Sequence, residues 1–148
     1  MTRSFVKSAF CLPLAVVCLL GFTGKAFAND YFNISRGDYV LASGLDRKLG
    51  NSKIRIYFDG TDKIIGFTVC NNYTANYKLN RGTLAISNLV TTKKDCPNAT
   101  PLDMQREAQY FDTITKLNEY TSINHEYIQL VILENRELDI NLSFFKGL

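Results

Sequence analysis

Cys70 and Cys96 bracket the segment CNNYTANYKLNRGTLAISNLVTTKKDC, in which two strand-like runs flank a glycine turn. Joining them ties the end of one strand to the residues that lead out of the following hairpin, which removes most alternative layouts of a small chain. Pairing is expected from the compartment. Residues 1–28 carry Arg3 and Lys7, an apolar run from Ala9 to Phe22, and Lys25-Ala26-Phe27-Ala28, the layout of a secretory signal cleaved between Ala28 and Asn29. Beyond that signal Cys70 and Cys96 are the only cysteines; they form no CxxC and share the chain with one histidine. In an oxidising compartment they pair. Closing a loop of this length stabilises a fold by roughly 3–4 kcal/mol on the chain-entropy account.

Two other readings of the N-terminus are disfavoured. The apolar run is about 14 residues, short of the ~20 that span a bilayer. A lipoprotein anchored at Cys18 would carry Gly or Ala just before that cysteine, where Val17 stands. The mature chain, 29–148, is thus expected in the periplasm or secreted, as a single domain and a monomer with no membrane span. Export also changes the charge balance. The signal holds three of the 17 cations and no acid, so 14 cations face 14 acids in the mature chain. No basic excess remains to draw nucleic acid or a membrane surface.

From Asp38 onward short strands alternate with turns. Tyr39–Ser43 is a first strand. In Lys53–Phe58, Ile54, Ile56 and Phe58 share one face and Lys53, Arg55 and Tyr57 the other. Asp59-Gly60-Thr61-Asp62 turns the chain into Lys63–Val69. Tyr77–Leu79 and Thr83–Ser87 flank Asn80-Arg81-Gly82 as a second hairpin, with Gly82 supplying a positive φ. After Cys96 the period lengthens. Met104, Ala108, Phe111, Ile114 and Leu117 fall on one face of a helix over 101–118, with Thr100 as N-cap, Pro101 at the first position and Asp103 completing a capping box. Three strands follow, Glu119–Ile123, Tyr127–Leu133 and Leu138–Phe145, with turns at 124–126 and 134–136. The fold class is mostly β: about eight short antiparallel strands forming a β-barrel-like domain, with one amphipathic α-helix packed on it.

Tyr39-Val-Leu41, Gly66-Phe-Thr-Val-Cys70-Asn71-Asn72-Tyr73, Tyr77, Thr92-Lys-Lys-Asp-Cys96, Glu107 and Leu138-Asp-Ile-Asn-Leu142 together resemble the META domain family of HslJ-like heat-shock and envelope proteins. The resemblance spans 38–142. It departs from the family pattern at Tyr39, Val69 and Ala75, where Trp, Gly and Gly are usual. It implies a compact, mostly antiparallel barrel-like domain with a helix, an envelope or secreted location, a link to stress, and no established catalytic activity. No catalytic residue is carried over.

The residues themselves offer few sites. His125 with Glu126 is an acid–base pair only in name, since no third group orients it; a solvated turn is the simpler account. One histidine and scattered carboxylates make no metal set, and no cofactor motif is present. Asn71 and Asn72 either recognise a ligand at a barrel mouth or satisfy backbone where the strand bends after Cys70, and the second is favoured. Glu107, at the edge of the helical stripe, is either paired with donors or turned inward towards a ligand. Tyr31, Tyr57, Tyr73, Tyr77, Tyr110, Tyr120 and Tyr127 line a binding surface or fill the core. The expected function is non-enzymatic: binding of another envelope protein, or, as the alternative, of a small apolar or amphipathic ligand between sheet and helix. A hydrolase built on His125 and Glu126 ranks third.

Overall fold

Alternation decides which way each strand faces: Ile54, Ile56 and Phe58 are buried while Arg55 is exposed and Tyr57 half-buried. The computed structural model describes residues 33–45 and 53–146; the expected signal, its cleavage point, Cys18 and Tyr31 lie outside them. The strands are β1 (Gly37–Ser43), β2 (Arg55–Phe58), β3 (Lys63–Phe67), β4 (Asn72–Asn80) and β5 (Thr83–Thr91). After the helix α1 (Pro101–Ile114) come β6 (Glu119–His125), β7 (Ile128–Asn135) and β8 (Ile140–Lys146). Every neighbour is antiparallel, and β8 returns to β1, so the sheet closes roughly into a ring. The seam is at β5–β6, where only Thr83 and Glu119 stand opposite each other.

Inside the ring Tyr39, Phe58 and Tyr77 stack edge to face at centroid distances of 5.8 and 5.1 Å, with Ile56, Leu133 and Phe144 fully buried around them. This fills the barrel with its own side chains, as small barrels require. Tyr39, at the expected Trp position, also donates its hydroxyl to the Ser35 carbonyl at 2.9 Å. In the β4–β5 hairpin Arg81 and Gly82 both take positive φ, 46° and 93°, the geometry of a two-residue turn that matches strand twist. Further along, the register slips between Thr74 and Asn76, and Asn88 at φ 54° bulges out of β5.

The helix starts as its sequence requires: Thr100 Oγ1 accepts from Asp103 N and Asp103 Oδ2 accepts from Thr100 N, each at 3.1 Å. Two expectations are corrected here. The helix ends at Ile114 rather than 118, because Asn118 leaves it to pair with the sheet, accepting from Leu84 N at 2.8 Å and donating to Glu134 O at 3.0 Å. Its buried stripe is Glu107, Tyr110, Ile114 and, beyond its end, Leu117, whereas Met104 and Ala108 are exposed. A stripe phased on apolar residues alone skips Glu107, whose burial is made tolerable by donors from the sheet. The β6–β7 and β7–β8 turns likewise move, to 126–127 and 136–139, so His125 ends a strand and Leu138 lies in a turn. Asn135 stays in β7 because its amide donates to Lys116 O at 2.7 Å. β4 and β5 are longer than expected, since Ala75 and Tyr73 face inward and extend the alternation to Asn72.

These contacts lay α1 across one end of the ring. Glu107 meets the β3–β4 connection, while Gln109 and Thr113 line a cavity of about 270 Å³ with Gly44 at the end of β1 and Leu142 in β8.

Candidate functional site

The residues singled out from sequence converge on the turn between β3 and β4. Thr68 N donates to Asn71 O at 2.9 Å, folding 68–71 back on itself. That turn aims its donors at α1. Glu107 Oε2 accepts from the amides of Cys70 and Asn71, each at 3.0 Å, and from the Thr68 hydroxyl; Oε1 accepts from Asn71 Nδ2 at 2.6 Å. Burial by itself pushes the Glu107 carboxyl up. The hydrogen bonds from Thr68, the Asn71 side chain and the two amides outweigh it and hold the group below its ordinary value, so the carboxylate is the buried form.

Asn71 carries the arrangement on to the next segment. Its Oδ1 accepts from Thr92 Oγ1 and from Lys94 N, each at 2.9 Å, and Asn72 N donates to Thr92 Oγ1 at 3.1 Å. Two residues later the Cys70–Cys96 disulfide, with Cα atoms 6.0 Å apart, fastens the strap 92–99 to the same turn. Turn, strap and helix thus share one polar knot. Thr68, fully buried within it, was missed from sequence because a threonine in a strand carries no signal of its own; only the position of Glu107 reveals it.

Tyr73 and Tyr77 point inward. Tyr73 donates to Arg55 O at 3.2 Å and accepts from the Tyr110 hydroxyl, and burial pushes both phenols up. The Tyr73 ring crosses Gly66, directly opposite it on β3, and a Cβ at Gly66 would fall inside that ring. Asn72 lies apart, its side chain exposed on the outer face. There it joins Tyr57, Ile65, Phe67, Thr74 and Asp38 around an open groove of about 420 Å³. The segment Lys63-Ile-Ile-Gly-Phe67 held a signal for it: apolar residues at both parities mean that one set faces out. His125 and Glu126 are exposed at the tip of the β6–β7 hairpin, with Tyr127 as the ring neighbour at 6.5 Å.

The META domain family matches residues 26–142. The chain belongs to that family. A protein from Burkholderia xenovorans solved by NMR superposes on this META domain with a TM-score of 0.57, covering 84% of this chain and 94% of its own at 22% identity, a likeness of fold. No curated protein sequence matches at a significant level. Within the META domain, the motif residues Cys70, Asn71, Thr92, Cys96 and Glu107 coincide with the knot that binds helix to sheet.

Proposed function

We propose that this META domain is an exported, non-catalytic binding module of the bacterial envelope, stress-associated, acting through its outer surface on other envelope components. The observation that carries the reading is a division of labour. Each side-chain hydrogen-bonding atom of Asn71, Thr92 and Glu107 already has a partner within the protein, whereas Ile65 and Phe67 stand exposed beside an open groove. Residues occupied in holding a turn are poor catalysts; exposed apolar ones mark contact surfaces. The disulfide and family membership agree with an oxidising envelope location.

An unbiased pull-down from an envelope fraction, with the mature chain as bait, tests the reading; a specific partner lost in Ile65→Ser supports it. Reproducible turnover in a broad hydrolase screen, abolished by His125→Ala with an unchanged melting curve, would replace it with the enzyme reading. A second reading, a small apolar or amphipathic ligand between sheet and helix, is favoured by one feature, the cavity lined by Leu45, Gln109, Thr113, Ile140 and Leu142. Native mass spectrometry of detergent-free protein checks it: a bound mass supports a ligand, and a clean apo mass removes it.

A further inference from the structure

The register of the outer face places its side chains in rows. Asp38, Tyr57, Ile65, Thr74 and Val90 stand opposite one another across five consecutive strands, β1 to β5. One row away, towards the helix end, lie Arg55, Phe67 and Asn72; in the other direction come Lys63 with Asn76 and Ser87, then Lys78 with Ala85. The middle of this face is apolar and open: Ile65 is 51% exposed, Val90 65% and Phe67 39%. Its rim is basic. Arg36 donates through Nε to the Tyr57 hydroxyl at 2.7 Å, and Lys63 and Lys78 make no ion pair among the described residues. Of the acids nearby, Asp38 is held by Arg55 at 2.9 Å, and Asp59 and Asp62 lie in the β2–β3 turn beside Arg36 and Lys63.

The same polarity runs through the whole molecule. Residues 53–100 hold seven cations and three acids, while 101–148 hold four cations and eight acids. A mature chain of zero formal charge is therefore strongly dipolar. Its field turns β2–β5 towards an anionic surface and turns α1 with β6–β8 away from it.

We infer that this face docks on an anionic phospholipid surface. The inference rests on the binding-module reading and names its partner. The backbones of β2, β3 and β4 are paired on both sides, so an extended peptide cannot add to them as a strand. What the face offers instead is an apolar centre able to enter the headgroup boundary. Tyr57 and Phe67 suit that interface, and the lysine stems around them reach phosphate level while their ammonium groups stay wet. Lys93 and Lys94, which follow Thr92 beside Asn72, extend the basic rim. Each lysine near an anionic bilayer is worth about fivefold in partition.

The mature, disulfide-bonded chain is co-sedimented with vesicles of phosphatidylcholine alone and of phosphatidylcholine containing about one third phosphatidylglycerol, at low and high salt. Partition onto the phosphatidylglycerol vesicles alone, released by salt, is the expected result. Lys63→Glu with Lys78→Glu should weaken it about tenfold or more, Ile65→Ser with Phe67→Ser several-fold, and His125→Ala on the hairpin tip not at all. Melting curves confirm that the variants fold, and the salt arm needs no variant. Equal partition on both vesicles, none on either, or indifference to the two double substitutions overturns the inference. If the pull-down still captures a protein through Ile65 while vesicles are ignored, the binding-module reading stands and the lipid assignment falls.

Discussion

Phe67 and Thr68 are adjacent in sequence and belong to opposite regimes. Thr68 is fully buried in a knot where hydroxyl, amide, carboxylate and two backbone donors satisfy one another; Phe67 lies on an outer face whose apolar groups stand partly open to solvent. The knot is where the family's motif residues gather, yet its geometry makes them structural. The outer face has ordinary strand residues and retains unspent contact surface. Distinctive residues in a small domain can thus mark what holds it together, while the proposed contact surface is built around exposed strand residues such as Ile65. Substitutions in the knot should change stability, and those on the face should change binding.

The largest effect is expected at Glu107. Glu107→Ala leaves the Cys70 and Asn71 amides, the Asn71 side chain and the Thr68 hydroxyl without their acceptor, each worth about 1–3 kcal/mol when buried and unmatched. Because they relax together, a total loss of about 3–5 kcal/mol is expected, or more than about 10 °C in the thermal midpoint. A shift under about 3 °C would show that the knot is ornamental. Next comes the disulfide: Cys70→Ala with Cys96→Ala should cost about 2–5 kcal/mol. The exchange of strap amides such as Lys94 N should quicken more than that of β7, which the bridge does not touch.

Gly66→Ala tests the inner side of the same strand. A methyl cannot share space with the Tyr73 ring, whose hydroxyl is bound to Arg55 O and Tyr110, so about 1–3 kcal/mol should be lost. Denaturant titration reads this directly, and a neutral result would mean that the Tyr73–Tyr110 pair moves freely. Acid probes the knot more gently. Because the Glu107 carboxyl is lowered in the folded state, its contribution is fully present above the unfolded value near 4.5 and is lost as pH falls through the folded one. Asp59, lowered to about 2 chiefly by the Thr61 hydroxyl and then by the Thr61 amide, behaves likewise at lower pH. In Glu107→Gln the slope of stability below pH 4.5 should therefore flatten, leaving the parts due to Asp59 and to Asp103, which the Thr100 amide and hydroxyl hold low; an unchanged slope would assign it elsewhere.

Much of this comparison was legible in sequence, but unevenly. The facing of Ile54, Ile56 and Phe58, the Arg81-Gly82 turn, the Thr100 cap and the cysteine pair depend on neighbours within a few residues or on the compartment, and pattern alone reveals them. The phase of α1 does not: Glu107 reads only as the edge of the stripe until the donors of Thr68, Cys70 and Asn71, far off in sequence, are brought to it. β4 and β5 were cut short for a similar reason. Their outward Asn72, Asn76 and Asn88 look like loop, and the register that makes them strand, bulge included, comes from partner strands. The outer groove is least legible, since a row such as Tyr57–Ile65–Val90 exists only once several registers are fixed.

The smallest stability effect should accompany the sharpest separation of the two regions. Ile65 and Phe67 alternate with Ile64 and Gly66, so serine at both outward positions leaves the inner packing and every hydrogen bond of the knot in place. Surface substitutions of this kind stay within about 0.5 kcal/mol of neutral; the loss of β-propensity on going to serine pushes slightly towards destabilisation. The thermal midpoint of Ile65→Ser with Phe67→Ser should therefore move by no more than a few degrees, about 2–4 °C, while contact with an anionic surface falls several-fold. A drop comparable to that of Glu107→Ala would mean that the outer face is packed against something within the protein, and the division between a knot that holds and a face that binds would collapse.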